Sequence, residues 1–170
     1  MVQELIDLKT CILEGRNEDA LAIVDELEGM SKQATLRNIG SFLLILLIHL
    51  IKNQVEQRLT NSWAASIANS VRSIKKLNLK DNKISYYINA SEWEPFLEDE
   101  LEAAIREASR EVLEGKLSRA QLHQRVDREQ IITIAIQLLS LTYNYSRKEL
   151  EDAIDEHLAQ LPGGEDLILQ

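Results

Sequence analysis

Cysteine occurs once, proline twice and glycine six times in 170 residues, and aromatic side chains make up only 5%. The lone cysteine, Cys11, excludes an internal disulfide and fits a reducing compartment. So little glycine and proline leaves few residues for the many turns of a β-protein. Neither common Gly-rich phosphate loop occurs, and the one adjacent pair, Gly163-Gly164, follows a helical pattern instead of opening one. A GxSxG nucleophile elbow and an HExxH zinc pair are also missing. The residues three before His49, His123 and His157 are Leu46, Ala120 and Ile154, so the Glu-x-x-His motif of di-iron bundles does not occur. No metal and no cofactor is expected. No basic segment followed by an apolar one opens the chain, so a secretory leader is not expected and the cytoplasm is the expected location.

Long hydrophobic runs are scarce too. Residues 42–51 are apolar at nine of ten positions, with His49 the exception. A membrane span needs about 20 such residues, so this run reads as a core helix buried on every side, with no membrane partner.

What remains is rich in helix formers, 45% hydrophobic and 28% charged. Apolar residues recur at helical spacing along most of the chain. Leu5, Leu8 and Ile12 predict the buried face of a first helix, ended by Gly15. Ala20, Ile23, Val24 and Leu27 mark a second, stopped by Gly29. Ser31 then caps a long central helix of about 32–59. Ser62 or Asn61 caps the next, carrying Trp63, Ile67, Val71 and Ile74. Ser91 and Glu94 predict a capping box before a stripe from Trp93 to Val112, ended at Gly115. Ser118 with Gln121, Asp127 with Gln130 and Ser146 with Glu149 start three more helices. The expectation is one all-α domain, an orthogonal bundle of seven or eight helices over residues 1–170. Its core holds helices 42–51 and 131–141, and a frayed tail covers 163–170.

The net charge of −9 is unevenly spread. Residues 52–83 hold seven bases against two acids, and residues 92–114 hold nine acids against two bases. The basic row Arg72, Lys75, Lys76, Lys80 and Lys83 allows three readings: a solvated face, a nucleic-acid contact, or docking on the acidic helix 92–114 within or between subunits. The charge balance favours docking. It makes the chain a non-enzymatic interaction protein that self-associates or binds another protein. His49, with Asn53 and Glu56 on the same helix face, is either a satisfied core imidazole or a base in a cleft with Glu56 and Ser62. Trp63 and Trp93 both read as core anchors at helix starts.

Three ordered segments carry a family resemblance over about residues 21–77. They are Asp25-Glu26-Leu27-Glu28 with Met30, then Leu46 through Lys52 around His49, then Ser62-Trp63 followed by Ile67, Arg72 and Ile74. Together they resemble the mostly cyanobacterial, helical family catalogued as domain of unknown function number 29. The family's aromatic-rich opening is missing here, and residues 78–170 carry no resemblance. The resemblance implies that His49, Lys52, Ser62, Trp63 and Arg72 form one cluster; it implies no activity.

Overall fold

The backbone turns on a single helix of 40 residues, about 60 Å long at the usual rise. A computed structural model describes residues 2–167, with side chains through Asp166. Among these residues it contains seven α-helices and no strand. They are α1 (Val2–Leu13), α2 (Asn17–Glu56), α3 (Asn61–Asn78), α4 (Trp93–Ser109), α5 (Arg119–Arg125), α6 (Arg128–Asn144) and α7 (Arg147–Ala159). Two 3-10 turns, Val112–Gly115 and Gly164–Leu167, complete it. The all-α class expected from composition is the observed one. The chain clusters into two compact units, one up to Asn38 and one from Ile39 onward.

In the first unit, Gly15 at φ 72 turns α1 back into α2. Among the described residues of this unit, only Cys11 and Ala20 are buried. The expected inner face of α1 is corrected: Leu5 and Ile12 are 53% and 61% exposed, and Leu8 is half-buried. The stop at Gly29 and the cap at Ser31 are corrected as well, because α2 runs straight through both. Gly29 keeps a helical φ, so its cost is only about 1 kcal/mol of helix propensity. Good helix formers on either side outweigh that.

In the second unit, Ile39, Leu43, Leu46, Leu47, Leu50 and Ile51 of α2 are buried to 1% or less. Leu44 and Ile48 are half-buried and Ile45 is 37% exposed, so the run is not buried on every side. By length and composition α2 could cross a bilayer, and a buried core helix passes the same test. Helix α6 packs against α3, α4 and α7. Its Ile131, Ala135, Leu138 and Leu139 supply the other apolar core expected from the sequence. The α4 stripe Trp93, Leu97, Leu101, Ala104 and Ala108 is buried throughout, as is Val112 in the turn beyond it.

Local start signals held where nothing distant competed. Ser118 and Ser146 form complete capping boxes, and Asp127 accepts the Gln130 amide. Two other starts differ. Thr60, not Asn61 or Ser62, caps α3 by accepting the Trp63 amide at 3.0 Å. No box forms at Ser91: Glu92 takes the N-cap position and its carboxylate reaches back to the Asn89 amide at 3.0 Å. The helix expected to reach Gly115 ends at Ser109. Leu113 and Glu114 then adopt left-handed backbone, φ 49 and 60, before Gly115 at φ 75. Of the tail expected to fray, Gly164–Leu167 forms the second 3-10 turn, and residues 168–170 lie outside the described residues.

Candidate functional site

The end of α2 is built from polar side chains whose partners come from distant parts of the chain. Gln57, at φ 53, stops the helix without a glycine. Buried Asn53 then donates to the carbonyls of Arg58 at 3.0 Å and Pro162 at 2.8 Å. This pins the corner to the C-terminal turn, where Gly163 at φ 76 leaves no room for a side chain: a Cβ would lie 2.8 Å from the Arg58 Cα. Lys52, only 8% exposed, pairs with Glu111. The Lys52 ammonium also lies 5.6 Å from the Trp63 ring centre, and the Arg58 guanidinium lies 4.8 Å from it. Glu56 accepts from Arg58 at 3.1 Å, and its other oxygen faces the amide of left-handed Leu113 at 3.5 Å.

Lys52, Glu56, Arg58, Trp63, Glu111 and Leu113 line a cleft of about 690 Å³ together with Lys116 and Arg125. Strained backbone often marks functional corners, since the surroundings must hold it. Here most of the charges are paired: Lys52 with Glu111, Arg58 with Glu56 and Lys116 with Glu114. A buried lysine left without its carboxylate would be costly, so these contacts lock the corner in one arrangement.

Among the residues the resemblance groups, Lys52 and Trp63 do meet. His49 lies outside the cleft lining, half-buried, with its Nδ1–H donating to the Ile45 carbonyl at 2.8 Å. Burial pushes its pKa below the ordinary value; the Ile45 carbonyl opposes this, the Lys52 charge adds to it, and Glu111 opposes it. Ser62 is exposed and also outside that lining. Arg72 is elsewhere, on α3 against α7. It donates to both oxygens of Glu151, at 2.8 and 2.6 Å, and to Asn69.

The basic row is correspondingly divided. Lys75 donates to the Thr142 carbonyl at 2.6 Å, and Lys80 lies 5.5 Å from the Tyr87 ring centre. Lys76 and Lys83 are exposed. The expected docking of this row on the acidic helix is corrected within the subunit. Among the described residues, no ion pair joins 72–83 to 92–114. Instead Arg128 reaches Glu98 at 3.9 Å and Glu102 at 2.5 Å, and His123 lies 3.3 Å from Glu102. Hydrogen bonds from Arg128 and then His123 hold the Glu102 carboxyl below its ordinary pKa. Matching net charge does not choose partners; α5 and α6 simply fold back nearer to α4.

A second cleft, of about 580 Å³, opens between α3 and α7. Its walls include Arg72, Lys75, Lys76, Leu79, Tyr86 and Arg147. Tyr86 arrives there through a buried clamp. Asn78 donates to the Ile88 carbonyl at 2.8 Å and to the Tyr143 hydroxyl at 3.0 Å, and accepts the Ile88 amide at 2.7 Å. Tyr143 in turn donates to the same carbonyl at 2.6 Å and packs edge-on against Tyr86, with ring centres 4.7 Å apart. The sequence reading missed Tyr86 and Arg147 as neighbours of the basic row. Tyr86 comes back to the row through a short loop that pairs it with Leu79, and no local pattern links Arg147, far along the chain, to those bases. No group of His, Cys, Asp and Glu able to hold a metal occurs among the described residues.

A family model described as Domain of unknown function DUF29 matches residues 14–125, well beyond the 21–77 legible from motifs alone. No curated protein and no solved structure matches the chain. The chain belongs to the DUF29 family.

Proposed function

We propose that this DUF29 protein is a small cytoplasmic, non-enzymatic interaction protein that self-associates through the outer face of its N-terminal helical hairpin. The observation that supports it is the α1 stripe. Val2, Leu5, Ile6, Ile12 and Leu13 are 74, 53, 52, 61 and 77% exposed. They recur at helical spacing, so they share one face. That face, with exposed Lys9 in its middle, carries roughly 500 Å² of apolar surface, the size of the largest patch on a monomer, which is often functional. A second copy is the occupant that fits. Two such faces in a two-fold pair bury roughly 1,000 Å², the floor for a specific interface. Pairing two hairpins also makes a four-helix arrangement, which supplies the shared core that one hairpin lacks. Cys11, buried and unpaired, suits a reducing compartment.

Sedimentation equilibrium at micromolar concentration tests this. A dimeric or larger mass is expected, reduced to the monomer by Ile12→Glu with Leu13→Glu at unchanged helicity. Raising the salt should leave the apolar association intact, whereas association through opposed acidic and basic faces would weaken. A strictly monomeric wild-type protein at low salt would overturn the reading.

A further inference from the structure

The cleft between α3 and α7 joins features that the self-association reading does not use. Four cations, Arg72, Lys75, Lys76 and Arg147, surround it against one carboxylate, Glu151, which is already held by Arg72. Lys75 spends one of its three N–H donors on the Thr142 carbonyl. Lys76 and Arg147 form no ion pair among the described residues and are exposed. In a protein of net charge −9, such an uncompensated concentration of positive charge is out of keeping with the rest of the surface. The remaining walls are apolar or aromatic: Leu79, Leu150 and the Tyr86 ring. The volume, about 580 Å³, lies within the usual range for small-molecule sites. Tyr86 is also fixed rather than free, because the Asn78 clamp and the Tyr143 ring hold its loop. A flat wall that is already ordered adds little entropic cost on binding.

We propose that this cleft binds a small organic phosphate with a flat aromatic body, of the mononucleotide class. The phosphate sits among Lys75, Lys76 and Arg147, where several N–H donors match its oxygens. The aromatic body lies against Tyr86, Leu79 and Leu150. A polymer is disfavoured by what lies next to the cleft. The adjoining depression, which shares Arg72 and Glu151, is lined by Asp152, Asp155 and Glu156. A nucleic-acid strand leaving the cations would run onto those carboxylates, whereas a compact dianion stays within the short reach of the cations.

Titration calorimetry on the full chain at low salt tests this, with adenosine monophosphate as the probe and inorganic phosphate, adenosine and a short single-stranded oligonucleotide as comparisons. Adenosine monophosphate is expected to bind, and inorganic phosphate and adenosine each to bind at least about tenfold more weakly. Lys76→Ala and Arg147→Ala should each cost roughly tenfold in affinity, the usual worth of a charge-assisted contact. Both positions are exposed, so the helical content of these variants should match the wild type. Tyr86→Ala should weaken binding and Tyr86→Phe should restore it. No heat with the mononucleotide up to millimolar concentration overturns the proposal, as does binding that both charge variants leave unchanged. Equal affinity for inorganic phosphate overturns the aromatic half, and tighter binding of the oligonucleotide overturns the preference for a single nucleotide.

Discussion

The two units treat the same kind of sequence in opposite ways. Both contain helices with an apolar stripe at regular spacing. In the second unit the α4 stripe turns inward, and Leu97 and Leu101 lose all contact with solvent. In the first unit the α1 stripe turns outward, and Leu13 stays 77% exposed. Periodicity establishes that a helix has an apolar face, but only the number of neighbours decides whether that face is covered. In the first unit only Cys11 and Ala20 are buried among the described residues, whereas in the second α6 touches α3, α4 and α7.

The contrast breaks most sharply under paired truncations. Leu101→Ala should destabilise the second unit by about 3 kcal/mol, through lost burial and the cavity left behind. Leu13→Ala should change the stability of the unassociated chain by no more than about 0.5 kcal/mol, as exposed substitutions do. Denaturant unfolding of dilute protein checks both, and equal losses at the two positions would erase the distinction. Alkaline pH offers a second, smaller separation. The Tyr143 phenol is pushed up to about 12, chiefly by burial, while the neighbouring Trp93 and the hydrogen bond from Asn78 pull the other way. A raised folded-state pKa means the neutral form is favoured in the fold. Its contribution is therefore complete below the ordinary tyrosine value near 10 and lost as pH rises through about 12. Thermal melting of the second unit should fall over that window, and Tyr143→Phe should flatten the fall. The smallest effect belongs to the first unit. Nothing lies within 4 Å of a Cβ built on Gly29, whose φ is helical. Gly29→Ala should thus raise helix stability by up to about 1 kcal/mol, measured as a higher melting temperature. A loss instead would mean that α2 needs a weak point there.

Much of the fold was legible because helix formation is local. The Ser118 and Ser146 boxes close over three residues, and their outcome depends on nothing outside the turn. The Ser91 box carries the same letters and does not form. There the preceding backbone is held by Asn78 at Ile88, and buried Trp93 opens the helix. A distant clamp outweighs a local cap. The stop at Gln57 had no sequence signal at all, since a left-handed glutamine is set by the network around Asn53 and not by propensity. The candidate corner was half legible. Lys52 and Trp63 sit on consecutive helices joined by a short turn, so their meeting could be read from the chain. Glu111 and Arg58 completing that network could not.

The sequence by itself determined the all-α class, the apolar stripes and most helix starts, because each depends on contacts within about one helical turn. It also determined the family. Only the tertiary structure decided which stripe is covered, that α2 continues through Gly29 and Ser31, and which residues answer the charges. Arg72 finds Glu151, and Glu102 finds Arg128, because helix packing brings those side chains together. Long-range proximity is a property of the packed whole, and charge or spacing along the chain does not encode it.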